Sequence, residues 1–366
     1  MVHDARSTHA DPTAVPHPAW AALLPSAPAG DGLPGLAPGA VPAFGDPVQE
    51  GSAALAGAAG LVPLVTRGAL RLTGADRVDF LHGQISNDVR GLRVGQALQA
   101  LLLEHRGRPR GDVVVVRRDD DIYVAIDDGR GPIVQRALEE HIIFDQVVVQ
   151  DLSRRLASFV VTGEAALAAL AQLVGAEALP SAPGAAIQLP WRGAHVLLHA
   201  RPRGLPASLD VHLLSEQLEG VWQALLAAGA QPLGERALAA ARVAAGLAAA
   251  AAEGEGALPQ ESGLEDRVSY SKGCYLGQEI MARVEARGSL RRSLVRLTFA
   301  EHPQPPADEA GREVHDTSGR PVGRVGTVAC LPALGWAALA VLRNDVPAGA
   351  GVGALGVSGR VASRLT

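Results

Sequence analysis

The chain has 366 residues, of which 48% are hydrophobic and 19% charged, so it is long enough for two or three folded domains. Its formal net charge of −5 argues against a protein that binds nucleic acid non-specifically, because such proteins usually carry a basic excess. Its two cysteines are too few for a disulfide framework, and alone they cannot hold a structural zinc or an iron–sulfur cluster. The most apolar run, residues 243–252, is too short to cross a bilayer. We therefore expect a cytoplasmic protein with no membrane partner.

Residues 1–45 are rich in Pro, Ala and Gly and lack periodic apolar positions, which predicts a flexible leader. From residue 46 the pattern changes to interleaved strands and helices, which indicates the α+β class. Strands are predicted at residues 68–73, 112–117, 121–126, 146–150, 156–161 and 195–199. Helices are predicted after Asp76, at Pro132, after Thr162 and after Ser215.

The helical pattern ends near Arg287, and this is the clearest domain boundary in the sequence. Gly and Pro turns then separate short strands predicted at residues 294–299, 312–315, 322–329, 336–342 and near 361. This spacing is typical of a small barrel or sandwich. We expect residues 288–366 to form an all-β domain.

Residues 272–279 read Lys-Gly-Cys-Tyr-Leu-Gly-Gln-Glu and are the most informative segment. The glycines on either side of Cys274 permit a tight turn, and a helix is predicted to follow. A helix N-terminus and the neighbouring Lys272 would both favour the thiolate form of Cys274. The alternative is a buried cysteine that acts as a small hydrophobic residue, which is how we interpret Cys330.

The same eight residues resemble the signature of the YgfZ-like folate-binding proteins, relatives of the glycine-cleavage T-protein, an aminomethyltransferase. Residues 67–89 and 258–264 resemble other parts of that family, and the resemblance covers residues 44–366. It implies a three-lobed α+β fold around a central folate pocket. Residues 46–287 would form the two-lobed folate-binding region, and residues 288–366 a small C-terminal β-barrel.

The resemblance also implies a function. The chain would bind tetrahydrofolate and act as an accessory protein for iron–sulfur cluster assembly or repair, with a link to tRNA modification. Iron–sulfur client or assembly proteins would be its partners, and we expect a monomer. The alternative is a true folate-dependent aminomethyltransferase. A demethylating relative fused to an oxidase is a third class, but the Gly-x-Gly-x-x-Gly nucleotide fingerprint of such fusions is missing.

Two positions carry the predicted chemistry. Asp112 is what remains of a paired Asp-Asp motif of the aminomethyltransferase branch, and losing the second carboxylate removes the coupling that tunes such a pair for acid–base work. The alternative for Asp112 is a solvated residue at the start of a strand. Cys274 is the second candidate, as a redox-active or adduct-forming thiol.

Four further residues are predicted to bind folate. By family pattern, Asp210 would grip the aminopyrimidine edge of the pterin, since a carboxylate can accept two adjacent N–H donors. Arg242 would meet the glutamate tail, because a buried arginine needs an anionic partner; otherwise it is an exposed helix charge. Lys272 and Gln278, which flank Cys274 at the rim of the pocket, are also assigned to folate binding. No spacing of His, Cys and Asp residues predicts a metal site.

Overall fold

The computed structural model describes residues 16–24, 32–288 and 290–366, and all structural statements below concern this part of the chain. Its α-helices are α1 (Pro18–Leu23), α2 (Pro47–Leu55), α3 (Arg77–Gln84), α4 (Gly131–Glu139), α5 (Glu164–Val174), α6 (Leu218–Ala227), α7 (Glu235–Ala245) and α8 (Gln278–Arg287). Short 3-10 turns occur at Ser215–Gln217, Glu265–Arg267 and Ala310–Arg312. None of the helices that the structure describes is long and apolar enough to cross a membrane.

The strands form two open sheets and one closed barrel. The first sheet contains β1 (Gly60–Pro63), β7 (Leu156–Thr162), β8 (Ala186–Trp191), β9 (Ala194–His199), β10 (Ser208–Leu214) and β11 (Gln231–Pro232), in the order β11-β1-β7-β10-β9-β8. The second contains β2 (Gly68–Thr73), β3 (Ala97–Leu103), β4 (Pro109–Arg117), β5 (Ile122–Ile126) and β6 (Val148–Asp151), in the order β3-β4-β5-β2-β6. The predicted α+β class is confirmed.

The continuous apolar run of β4 is explained by burial of both faces of the second sheet. Val113 and Val115 pack in the core beneath α3 and α4. Val114 and Val116 point to the other face, where they share a cluster with Leu197 of the first sheet. Because side chains alternate along a strand, a strand covered on both sides must be apolar at every position. β4 and β5 pair antiparallel as the predicted hairpin.

The C-terminal strands close into a barrel, as predicted. They are β12 (Arg292–Phe299), β13 (Glu313–Asp316), β14 (Pro321–Leu331), β15 (Gly335–Arg343), β16 (Gly351–Ala354) and β17 (Val357–Arg364). In β12, Val295, Leu297 and Phe299 fill the barrel interior. Leu294, on the opposite face, packs in a cluster with Leu101 of β3 and Met281 of α8, so the outside of the barrel is joined to the α+β region. Strand β16 was not predicted, because its Gly-Val-Gly-Ala sequence has little β-propensity.

The prediction of a flexible leader over residues 1–45 is wrong for residues 16–24 and 32–45; residues 1–15 and 25–31 lie outside the described residues. Trp20 of α1 is 1% exposed and packs edge-on against Trp222, with ring centroids 5.0 Å apart. Leu33 is buried in the barrel core. The segment lacks local periodicity because its apolar partners belong to distant elements, which no local pattern reveals.

Candidate ligand-binding site

A polar cavity lies where β4, the β5–α4 connection, the β9–β10 connection and α7 meet. Its volume is about 70 Å³, and an adjacent cavity of about 310 Å³ shares Gly35, Leu36, Asp128 and Ala249 as common walls. Charged residues dominate the smaller cavity: Asp112, Asp127, Asp128, Arg201, Arg203, Glu235, Arg242, Asp266 and Arg267. Gly35 and Leu36 belong to residues 32–40, here called the N-terminal strap.

Asp210 lies behind the cavity wall and is 1% exposed. Arg203, which does line the cavity, donates to both of its oxygens, from Nε at 2.6 Å and from Nη2 at 2.5 Å. Arg67 adds a third bond from Nη1 at 2.8 Å. Burial alone would raise the pKa of Asp210, but the two guanidinium groups outweigh burial and hold this pKa well below its usual value. Asp210 is therefore a charged carboxylate whose oxygens are already occupied.

Asp127 extends this network towards the cavity. It forms an ion pair with Arg67, whose Nη2 lies 2.5 Å from Oδ1, and it accepts a hydrogen bond from Arg201 Nη2 at 2.6 Å. Its pKa is lowered because Arg201 and Arg67 overcome the effect of burial. Asp127 was not predicted as a site residue, although the sequence contains a signal for it: two acids and a glycine directly follow the buried strand β5.

Asp112 is 4% exposed within β4, so the alternative interpretation as a solvated residue is wrong. It forms an ion pair with Arg267, whose Nη2 also donates to the Ala248 carbonyl at 2.8 Å. Burial raises the pKa of Asp112, and Arg267 opposes that effect. Oδ1 of Asp112 and Nε of Arg267 are buried and have no hydrogen-bond partner in the part of the chain that the structure describes.

Arg242 lines the cavity from α7 and is partly buried, so it is not an exposed helix charge. Its Nη2 donates to the Gly35 carbonyl of the N-terminal strap at 2.9 Å. Gly35 has φ +104°, and a Cβ at this position would lie 2.8 Å from the backbone Cα of Thr327. Only glycine fits there, and the close approach brings the strap over the cavity within reach of Arg242.

Among the described residues, Glu235 and Asp128 are the cavity acids without an arginine partner. Glu235 Oε1 is buried, and no described residue donates a hydrogen bond to it. Burial and the neighbouring Asp128 raise the pKa of Glu235 to about 8. Burial and Asp127 raise the pKa of Asp128 to about 6. Glu235 was not predicted as a site residue, because a glutamate at the start of a helix is usually explained by the helix dipole.

Lys272 has a structural set of partners. Its ammonium donates to the carbonyl of His82, to that of Ile85 at 2.6 Å and to that of Asn87 at 3.0 Å, so it caps the C-terminal end of α3. An ammonium has three N–H donors, and all three are used. Burial lowers the pKa of Lys272 to about 8. The ammonium group of Lys272 therefore has no free N–H to donate to a ligand, contrary to its predicted role in folate binding.

Cys274 is exposed, and α8 begins only at Gln278 after Gly277. The thiol thus precedes the helix by several residues, and the predicted support from the helix terminus does not apply. Lys272, Cys274 and Gln278 are not among the residues that line the polar cavity, whereas Asp112 and Arg242 are. Of the predicted site residues, Asp112 and Arg242 therefore line the cavity, Asp210 lies behind its wall, and those of the 272–278 segment lie outside its lining.

Native-state alkylation should label Cys274 before Cys330. Cys274 is exposed, whereas Cys330 is partly buried in β14, and burial raises the pKa of its thiol. A thiol that is both covered and harder to ionise reacts more slowly with iodoacetamide. Peptide mass spectrometry after a short exposure to iodoacetamide measures the order of labelling. Equal or faster labelling of Cys330 would contradict the surface placement of Cys274.

One group among the described residues has metal-ligand spacing: His199, Asp210 and His212, whose ligand atoms lie within 4.8 Å of one another. The two imidazole rings are stacked with centroids 5.1 Å apart. Burial lowers the pKa of His199 to about 3, so this ring is neutral. However, Asp210 already forms ion pairs with Arg67 and Arg203. Their guanidinium groups would repel a divalent cation at the same oxygens. We therefore assign no metal to this group.

Comparison with known proteins places the chain in a family. The sequence model of the GCVT N-terminal domain matches residues 42–272, which is more than half of the chain, so the chain belongs to this family. The tRNA-modifying protein YgfZ of Shigella dysenteriae serotype 1 is 29% identical over 266 residues, covering 70% of this chain and 76% of the relative. The YgfZ of Yersinia pestis (strain Pestoides F) is 29% identical over 289 residues, covering 76% and 82%.

The fold is shared with the glycine cleavage system aminomethyltransferase T from Bartonella henselae. The TM-score is 0.76 at 18% identity, with 94% of this chain and 96% of that chain covered. The chain is thus a YgfZ-like protein with the T-protein fold, and the family resemblance drawn from residues 272–279 is confirmed.

Proposed function

We propose that this protein binds a reduced folate, tetrahydrofolate, in the polar cavity. The observation that carries the proposal is the set of buried polar atoms without partners on the cavity-lining residues: Asp112 Oδ1, Glu235 Oε1, Arg267 Nε, and Arg201 Nε and Nη1. Each such atom costs about 1–3 kcal/mol when it is left unpaired. A ligand that offers both donors and acceptors would satisfy them, and a pterin ring offers both.

The remainder of a folate also fits the cavity walls. Arg242 donates a hydrogen bond to the neutral Gly35 carbonyl of the strap. The carboxylate of a glutamate tail would be a stronger acceptor for its guanidinium group. Pockets for ligands of this size usually have volumes of about 300–1,000 Å³. The cavity of about 70 Å³ must therefore join its neighbour of about 310 Å³, which requires the shared wall of Gly35 and Leu36 to shift.

We further propose an accessory role in iron–sulfur cluster assembly or repair, without aminomethyl transfer. The paired carboxylates of the aminomethyltransferase branch are reduced to Asp112, which is held in an ion pair with Arg267. That pairing leaves little freedom for acid–base work. The tRNA-modifying relatives support a link to tRNA modification. Exposed Cys274 would be the functional thiol at a surface that meets iron–sulfur client or assembly proteins.

The remaining assignments are proposals of the same kind. The protein would act in the cytoplasm as a monomer. Residues 46–287 would be the folate-binding unit, and residues 288–366 the barrel unit. The strap and α1, once predicted to be a leader, would belong to the folate-binding unit, because Arg242 and Trp222 bind them.

Two assays separate this function from the alternative. Purified protein mixed with an aminomethyl-lipoyl carrier and tetrahydrofolate should release no ammonia, whereas an aminomethyltransferase would. In a strain that lacks the protein, iron–sulfur enzyme activity should fall and be restored by wild type but not by Cys274→Ser. Ammonia release at each turnover, or full restoration by Cys274→Ser, would contradict the respective part of the proposal.

A further inference from the structure

The donor edge of a pterin needs both oxygens of one carboxylate, and most carboxylates near the cavity cannot supply them. Asp210 is occupied by Arg203 and Arg67. Asp127 is ion-paired with Arg67 and Arg201, and Asp112 has one oxygen in the ion pair with Arg267. Asp210, the acid predicted by family pattern, therefore has no free oxygen for the pterin. Another carboxylate must accept the hydrogen bonds of the aminopyrimidine edge.

Glu235 has the geometry for this task. It is the first residue of α7, and its backbone N–H donates to the Val41 carbonyl at 2.8 Å. The preceding Gly234 has no room for a side chain, since a Cβ would lie 2.1 Å from the Pro42 carbonyl oxygen. These contacts fix the start of α7. The Glu235 side chain lines the cavity, and no described residue donates a hydrogen bond to it.

A second residue of the same cavity also has an unpaired buried oxygen. Asp112 is 4% exposed and lines the cavity, and its Oδ1 has no hydrogen-bond partner among the described residues. Asp128 lies on the wall shared with the larger cavity, at a left-handed φ of +59° that few residues other than glycine adopt. Unpaired acceptors on two lining residues fit a flat polar ring that has donors on more than one edge.

We propose that Glu235, with Asp128 beside it, and not Asp210, binds the adjacent N–H donors of the aminopyrimidine edge. The inference rests on the proposed function, since it names the residues that recognise the reduced folate. Asp210 is a positioning residue instead: it holds Arg203 in the cavity wall and shares Arg67 with Asp127. A carboxylate that accepts two parallel N–H bonds gives both affinity and orientation.

The charges around Glu235 should make the dissociation constant for tetrahydrofolate depend on pH. The groups that face it are Asp127 and Asp128 from the β5–α4 connection, Arg67 from before β2 and Arg203 from the β9–β10 connection. Burial and Asp128 raise its pKa to about 8, so in the empty cavity it is protonated at neutral pH. Accepting two donors requires the carboxylate, and binding below about pH 8 must therefore release a proton. The dissociation constant should fall about tenfold per pH unit towards pH 8 and then level off.

Anaerobic titration calorimetry of the full-length protein with tetrahydrofolate tests the inference. Titrations at pH 7 in two buffers of different ionisation enthalpy should show that wild type releases close to one proton on binding. Glu235→Gln should bind about ten- to a hundred-fold more weakly and lose the proton release. Glu164→Gln is the matched control, because Glu164 also begins a helix after a glycine but is exposed; it should bind like wild type.

The stability of the empty protein supplies a second readout. Since the folded-state pKa of Glu235 lies above the unfolded value of about 4.3, its contribution to stability falls as pH rises from about 4.3 to about 8. Glu235→Gln should therefore raise Tm at pH 8. A lower Tm, or tetrahydrofolate binding with unchanged affinity and proton release, would overturn the inference and leave the proposed function standing. No binding by wild type would instead refute the proposed function itself.

Discussion

Replacing Asp210 by asparagine should lower the free energy of unfolding by about 3–5 kcal/mol, because it leaves the buried Arg203 without its counter-charge. Asp210 is 1% exposed, and it is the carboxylate that Arg203 binds through both Nε and Nη2. Arg67 keeps Asp127, but Arg203 loses its partner. Urea unfolding of wild type and Asp210→Asn at pH 7 measures the difference.

A matched control is available on α3. Asp79 pairs with Arg90 at 2.6 Å, but both side chains are more than half exposed. Asp79→Asn should therefore cost about 1 kcal/mol or less. If Asp210→Asn were as mild as Asp79→Asn, the buried network would not hold the first sheet and the cavity wall together.

The same variant should change the acid limb of the stability profile. Because the folded-state pKa of Asp210 is depressed, its stabilisation is complete above its unfolded pKa of about 3.9 and is lost as pH falls below that value towards the folded pKa. The gap between wild type and Asp210→Asn should thus shrink as pH falls from about 5 to about 2. A constant gap over this range would mean that Asp210 does not titrate as a stabilised carboxylate.

Trp20→Ala should also destabilise the protein by about 3–5 kcal/mol, since it removes a large aromatic from a filled core. Trp20 is 1% exposed and meets the rings of Trp222 and Phe159 edge-on, at centroid distances of 5.0 Å and 6.2 Å. Such aromatic contacts add to the loss of buried area. Chemical denaturation followed by far-UV circular dichroism gives the free energy of unfolding.

Ala21→Ser on the same helix is the control for this experiment. Ala21 is exposed, so the change should alter stability by less than about 0.5 kcal/mol. Equal stabilities of Trp20→Ala and Ala21→Ser would restore the interpretation of residues 16–24 as a flexible leader.

The elements that the sequence predicted well are those with a local cause. Strand β2 occupies residues 68–73 as predicted, because its apolar alternation ends at Gly74 and the start of a helix follows at once. The β4–β5 hairpin follows from two apolar runs around an acidic turn. α1 and the strap were missed, because their stability comes from Trp222 and Arg242, which are distant in sequence.

The candidate site was predicted in part for the same reason. Asp112 and Arg242 line the cavity, and the family pattern pointed to both. Glu235 was missed and Asp210 was placed on the ligand, because a pattern identifies a carboxylate but does not show which arginines already occupy it. The occupancy of Asp210 depends on Arg67, which precedes β2 and lies far from it in the chain. Only the packed structure brings these charges together.

Whether a reduced folate occupies the polar cavity, as we propose, can be seen in a crystal structure of the protein grown with tetrahydrofolate. We expect density for a bicyclic ring in contact with Glu235 and Asp112, with Gly35 and Leu36 shifted to join the two cavities. Arg242 should exchange the Gly35 carbonyl for a carboxylate of the ligand. Density for folate in the open cleft of about 840 Å³ beside Arg118 and His195, with the polar cavity unchanged, would contradict the claim.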